Sequence, residues 1–177
     1  VSVSDHAGYI IQVNDKFCDI TGYKKNELLG KNYRILNSGT HSKSFFTEMW
    51  AAITAGNTWQ QEICNRNKQG QLYWINSTIV PLKNRSGKIT RFISVNVDIT
   101  AQKQKEAALR ERLKETNCLY AIRHDMLKQL STKEFCQKII AHIIPAMQFP
   151  EITAVAIQLA DKKFTSGNYQ EGLSHSL

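Results

Sequence analysis

The sequence predicts an α+β fold: one antiparallel five-stranded sheet with short helices on a single face, then a long helix and a partial second α/β unit. Three observations carry this expectation. Apolar residues recur at three- and four-residue steps between Ser42 and Ala55, then at a period of two after Thr58. Clusters of turn-forming residues separate the alternating segments. Between Ile99 and Leu130 there is neither Gly nor Pro, so nothing there would break a helix.

Residues 1–4 and 9–13 read as two strands, with Asp5-His6-Ala7-Gly8 as their turn. Asn14-Asp15 can cap a short helix that carries Phe17, Cys18 and Ile20 inward and stops at Gly22. Asn26 to Gly30 gives another helical turn. The helix from Ser42 to Ala55 presents Phe45, Phe46, Met49, Trp50 and Ile53 on one side, and Gly56 closes it. Strands are expected at 58–66, 71–82 and 89–98, with turns at Asn67–Gly70 and Asn84–Gly87. Residues 101–116 are strong helix formers, and Leu109, Leu113, Thr116, Tyr120, Met126 and Leu130 approximate an apolar stripe. Ser131 to Glu134 has the form of a capping box, opening a helix at about 133–144 before Pro145. Strands at 152–159 and 163–169 follow, and the second unit is expected to be incomplete. The domain reading is therefore 1–100, a linker helix over 101–131, and the start of another domain over 132–177.

The net charge is +8, of which residues 1–97 hold +6. The basic residues are scattered and form no helical stripe, so they read as a solvated face and nucleic acid is not an expected partner. The four cysteines include no Cys-x-x-Cys pair. That spacing argues against a zinc site or a disulfide framework and predicts reduced thiols in a cytoplasmic protein. Neither a signal peptide nor an apolar run long enough to span a bilayer is visible. The chain begins at Val1 within an apolar run, which predicts a longer parent whose membrane attachment stays open.

The ordered segments Gly30-Lys31-Asn32-Tyr33-Arg34-Ile35-Leu36-Asn37-Ser38-Gly39, Asn65-Arg66-Asn67-Lys68-Gln69-Gly70, Tyr73-Trp74 and Ile93–Val97 leading into Asp98-Ile99-Thr100 together resemble the PAS family of sensor domains. The resemblance covers residues 1–100. Residues 117–169 resemble the opening of a GAF-type sensor domain over a shorter stretch. The PAS resemblance implies a non-catalytic module that binds a small molecule or cofactor and relays its state through the C-terminal helix. The output domain would lie in the same parent chain, as in two-component systems.

Gly30–Gly39 is similar to the flavin-contacting motif of light-oxygen-voltage domains, which nominates Asn32 and Arg34 as contacts. A cysteine in those relatives forms the photo-adduct; Tyr33 stands there instead, so that chemistry is excluded at this position. Trp59, Gln61, Ile63 and Asn65 would share one strand face, and Phe92, Ser94 and Asn96 another. The resemblance implies that amides at Asn65 and Asn96 bond a flavin ring edge, and such a ring does need both donors and acceptors. Ile75 replaces a further amide common in those relatives. Trp59 with Asn65-Arg66 also resembles redox-sensing PAS domains that hold FAD. The cofactor stays open: FAD or FMN is one candidate, and haem ranks behind flavin or another small molecule because its candidate ligands, His6 and His41, sit where exposed turn or capping residues are commoner. No metal site is expected.

Bland readings stand beside these. Trp59 and Trp74 read more readily as packing residues than as a cofactor wall, and Asn65 can satisfy backbone at its turn. His124-Asp125 on the linker could mark a phosphoacceptor histidine of a histidine-kinase fragment, or simply a polar pair on a solvated side. A ligandless dimerisation scaffold is the third reading. Ile93, Val95 and Val97 alternate with the pocket-facing set, which predicts that something covers the sheet's other face. A homodimer through that face and the linker helix is the expected answer.

Overall fold

The computed structural model describes residues 1–170, and the chain divides into two units, the first ending at Gln104 and the second beginning at Lys105. The last seven residues of the expected third region lie outside the described residues.

The first unit is built on five antiparallel strands: β1 (Ser2–Asp5), β2 (Ile10–Val13), β3 (Trp59–Arg66), β4 (Leu72–Lys83) and β5 (Ile89–Asp98). Their spatial order is β2-β1-β5-β4-β3, so β5 is central although it comes last in sequence. Three helices lie between β2 and β3: α1 (Asp15–Thr21), α2 (Lys25–Leu28) and α3 (Lys43–Thr54), with a 3-10 turn at Tyr33–Leu36.

Local chemistry explains these boundaries. The Asn14 side chain accepts the Phe17 N–H at 3.1 Å, opening α1. Gly22 closes it in the left-handed region at φ 71°, a conformation that glycine adopts without a Cβ penalty. In the β1–β2 turn, the Asp5 carboxylate accepts the N–H groups of Ala7 and Tyr9, both at 2.9 Å. A Cβ on Gly8 there would sit 3.1 Å from the Trp50 ring, and its φ of 83° also favours glycine. The Ser42 hydroxyl caps α3 by accepting the Phe45 N–H.

The helices cover one face of the sheet. Met49 and Ile53 of α3 pack on Ile79 and Phe92, while Ile63, Tyr73 and Ile75 meet Ile20 and Phe45. Ile10, Val13, Phe17, Leu28 and Leu36 form the third buried cluster. Each fully buried apolar side chain of this size contributes about 1.5–3 kcal/mol. On the opposite face, Val95 and Val97 are 44% and 58% exposed, and Val80 and Leu82 are exposed as well. The apolar set that β5 turns to this face is thus present and largely exposed.

From Thr100 the chain runs as α4 (Thr100–Met126), an uninterrupted helix of 27 residues. In the second unit, α5 (Thr132–Ala146) opens with the expected reciprocal cap between Ser131 and Glu134. It passes Pro145, where the sequence predicts a stop. The proline falls in the final turn, so the bond it deletes interrupts nothing beyond. The hairpin β6 (Ala156–Leu159) and β7 (Lys162–Thr165) is shorter than its alternation suggests. Upstream, the Phe149 carbonyl accepts from the Ile152 N–H and the Thr153 hydroxyl, which spends those residues on a turn. Downstream, the Ser166 hydroxyl takes over the Val155 N–H and ends the ladder.

Candidate functional site

The register of β3, β4 and β5 decides which side chains meet. On the helix-covered face Gln61 stands opposite Ser77, and Ser77 opposite Asn96. One polar row therefore crosses three strands. An apolar row flanks it on each side: Ile63 and Ile75 on one, Trp59 and Ile79 on the other. Ser77 is buried, Asn96 half-buried and Gln61 exposed. Asn96 also borders a shallow open pocket of about 460 Å³ with Lys16 and Ile20 of α1, Val97, Asp98 and Ala101.

The other sequence-nominated residues share this face without joining that row. Asn65 lies opposite Tyr73, four residues along β3 from Gln61, or about 13 Å. Burial holds the Tyr73 phenol far above its ordinary value, and the neighbouring Asn65 side chain only partly opposes the shift. Ser94 belongs with Ser2, its register partner on β1. The Tyr33 hydroxyl donates to the Ser2 Oγ at 2.6 Å. Burial pushes the Tyr33 phenol up, and hydrogen bonds with Ser2 and Ser94 draw it partly back. Ile75 is 4% exposed and sits at the centre of the apolar packing. Trp59 packs edge-on against Phe45 at 5.5 Å, bridging two clusters as a packing residue does.

The 3-10 turn assigns its polar residues to structure. The Asn32 side chain accepts the Arg34 N–H at 3.1 Å and donates to the Ala7 carbonyl at 3.2 Å. Arg34 itself is exposed. Of the two histidines considered for haem, His6 lies in the exposed β1–β2 turn, and His41 already accepts the Cys64 N–H through Nε2 at 2.8 Å. Gln61 and Ser77 are the members of this row that sequence reasoning did not nominate. Alternation puts Gln61 on the face of Trp59 and Ser77 on that of Ile75, but without register nothing ties either to Asn96.

Where the sheet meets α4, Thr100 is bonded to two strands. Its hydroxyl accepts the Trp74 N–H at 2.9 Å and reaches the Asp98 carboxylate at 2.6 Å, which also takes the Thr100 N–H. The Ile99 N–H donates to the Trp74 carbonyl, and Lys103 pairs with Glu62 of β3 at 2.6 Å. Further along α4 the His124-Asp125 pair separates in function. Asp125 is 3% exposed and engages Lys128 at 2.7 Å, Lys138 at 3.7 Å and His142 Nε2 at 2.9 Å. Those partners, Lys128 and His142 foremost, hold its carboxyl well below the usual range. The carboxylate is committed to α5 and Lys128, while His124 is exposed.

A family profile described as a PAS domain matches residues 1–101, more than half of the chain. The chain belongs to the PAS family. Residues 1–101 are thus a PAS domain, and its relatives include a regulatory protein, a receptor and histidine kinases by name. It is 29% identical over 113 residues to a nitrogen fixation regulatory protein of Klebsiella oxytoca, covering 64% of this chain and 23% of that one. It is 32% identical over 100 residues to the aerotaxis receptor of Escherichia coli K12, covering 56% and 20%. A blue-light-activated histidine kinase of Rhizobium johnstonii is 33% identical over 98 residues, covering 55% and 28%. The match spans less than a third of the length of each of these relatives. Among solved structures, a PAS domain from Colwellia psychrerythraea superposes with a TM-score of 0.53 at 27% identity, covering 56% of this chain and 85% of that one. An RNA-binding light-oxygen-voltage receptor shares the fold, with a TM-score of 0.57 at 24% identity over 63% of this chain and 33% of that one. Among the described residues, no helix of the PAS chain is long and apolar enough to cross a membrane.

Proposed function

We propose that the PAS domain binds a flat heteroaromatic ligand, best a flavin, against the Gln61–Ser77–Asn96 row and relays its state through β5 into α4. The observation that carries this reading is the row itself. Two amides and a hydroxyl lie across three strands, spanning about 10 Å, between flanking apolar side chains. An amide offers both a donor and an acceptor, which suits the edge of a ring that alternates them. The group would supply a redox- or light-dependent change in that edge. Asn96 and Gln61 would hold it, Ser77 would complete the polar row, and Ile63 and Ile75 would exclude water beside it. Asn65, opposite Tyr73, and Ser94, opposite Ser2, stand outside the row and would contribute less than the sequence suggests. Binding shifts a conformational balance only if the ligand favours one state over another, and the Thr100 joint offers the element to be shifted.

The wider expectations join this reading. The exposed Val80, Leu82, Val95 and Val97, with Leu109, Leu113 and Tyr120 on α4, support a second copy of the chain as the partner. The segment past α4 reads as the start of a GAF-like unit, and output activity belongs to a longer, cytoplasmic parent. No observation favours a catalytic role for His124.

An absorbance spectrum of the purified protein, followed by titration with FMN and FAD, tests the ligand. Bound flavin should be lost, or its affinity reduced about tenfold or more, in Asn96→Leu, through loss of one or two hydrogen bonds. Absence of flavin uptake by the folded protein, or unchanged affinity in Asn96→Leu, defeats the assignment.

A further inference from the structure

Strand β3 is an edge of the sheet, so its outward N–H and C=O groups have no strand to pair with. At Cys64, which is 2% exposed, side chains from the loop after the 3-10 turn take both. The N–H donates to His41 Nε2 at 2.8 Å, and the carbonyl accepts from the Ser38 hydroxyl at 2.5 Å. One residue on, Asn65 forms an isolated bridge with Asn37, and the Arg66 guanidinium donates to the Ser38 carbonyl at 3.1 Å. Two loop side chains thus act as a substitute strand.

The His41 bond defines a protonation state. A backbone N–H can only donate, so Nε2 must present its lone pair and the neutral ring carries its proton on Nδ1. The ring is stacked on Phe45 at 4.2 Å and lies edge-on to Phe46 and Trp74 at 6.1 and 6.0 Å. Protonation would turn Nε2 into a donor facing another donor. A stacked imidazolium regains something from the aromatic faces, but that gain cannot restore an acceptor to the Cys64 N–H.

We infer that His41 and Ser38 form a proton-releasable clasp on β3, which makes this PAS domain responsive to pH at the edge of its sheet. The clasp is separate from the ligand row and stands whether or not a flavin binds there. Burial among the rings, which lowers the imidazole below its ordinary 6.5, is consistent with the neutral state. The charged groups on the packed elements do not reverse this. On β3, Arg66 holds the loop and opposes a second positive charge, while Glu62 is answered by Lys103 of α4, which also lies 5.7 Å over the Trp74 ring. Lys43 and Glu48 are the charged residues of α3, and the Cys64 thiol is the remaining titratable group beside the bond. A folded value below 6.5 means that the clasp is fully present above pH 6.5. It is lost as pH falls through the lowered value, freeing the N–H beside Asn65.

Nuclear magnetic resonance on the intact 177-residue chain tests this. Long-range proton–nitrogen spectra should show His41 with its proton on Nδ1 at about pH 7.5 and titrating below its ordinary value. The protection factor of the Cys64 amide, corrected for intrinsic exchange, should fall from about pH 6.5 downward, by up to about tenfold at pH 5.5, while that of Ile75 holds. His41→Gln, which keeps an acceptor that does not titrate, should make Cys64 protection independent of pH. A proton on Nε2 at pH 7.5, or Cys64 protection that is flat across this range in the unaltered protein, overturns the inference. The unaltered protein decides the matter even if the variant does not fold.

Discussion

Replacing Thr100 by Val removes one oxygen and almost nothing else, because both side chains are β-branched and similar in volume. That oxygen accepts the Trp74 N–H at 2.9 Å and donates to Asp98 at 2.6 Å. The Thr100 N–H to Asp98 and the Ile99 N–H to the Trp74 carbonyl both remain. A net hydrogen bond contributes about 0.5–1.5 kcal/mol, and an amide left without a partner in a half-buried site adds to the loss. The two together come to about 2 kcal/mol, which raises the open population of the joint roughly 30-fold. Hydrogen exchange read by mass spectrometry, peptide by peptide, measures this directly. Peptides spanning residues 95–106 should exchange roughly 30-fold faster in the variant, while those covering α3 stay unchanged. Thr100→Ser, which keeps the hydroxyl, should behave nearly as the unaltered chain does. If Thr100→Val leaves 95–106 unchanged, the hydroxyl does not hold the joint. If exchange rises uniformly across the first unit, the joint has no stability of its own and cannot act as a relay element.

Two further perturbations test the polar interior and the second unit. Tyr33→Phe deletes the hydroxyl shared with Ser2 and Ser94, which are 1% and 5% exposed, and should cost about 1–2 kcal/mol in urea unfolding. Because the two serines face each other across β1 and β5, the lower end of that range is expected. Asp125 has its carboxyl held below the ordinary 3.8, so its contribution is present above that value and is lost as pH falls below it. Acid titration monitored by exchange at α5 should show that loss, and Asp125→Asn should lower the protection of α5 at neutral pH and leave only the acid-dependent part due to the Glu134 cap.

The strands, α3 and α4 were legible because their signals are local: a period of two, a stripe at three and four, and a run without helix breakers. Asn14 and Ser131 announced their caps for the same reason. The candidate site was legible by face but not by neighbourhood. Alternation correctly put Asn65 and Asn96 on the helix-covered side, yet which residue stands beside which depends on register, and register is set by turns far away in sequence. Hence the sequence alone ties neither Ser77 to Asn96 nor Asn65 to Tyr73, which stands opposite it. Asn32 shows a second limit: a short amide can cap a turn or hold a ligand, and only the positions of the Arg34 N–H and the Ala7 carbonyl decide. The helix through Pro145 shows a third, since whether proline ends a helix depends on how much helix would follow.

The central placement of β5 bears most on how such a domain can signal. Being last in sequence and middle in space, it touches β1 on one side and β4 on the other, and it runs directly into Asp98-Ile99-Thr100. Its alternation gives one strand two audiences: Phe92, Ser94 and Asn96 toward the helices, Ile93, Val95 and Val97 toward the opposite face. On the proposed reading, a change felt at Asn96 has only four residues, about 13 Å, to travel before it reaches Thr100. An edge strand could yield to such a change by fraying. A central strand, bonded on both sides, must instead slide or twist as a piece, and its neighbours must follow. Either motion changes how Val95 and Val97 present themselves and how Thr100 meets Trp74. On that proposal the exposed Val95 and Val97 surface and the helix joint would respond together, so a single strand would suffice to join ligand, partner and output, without a separate pathway between them.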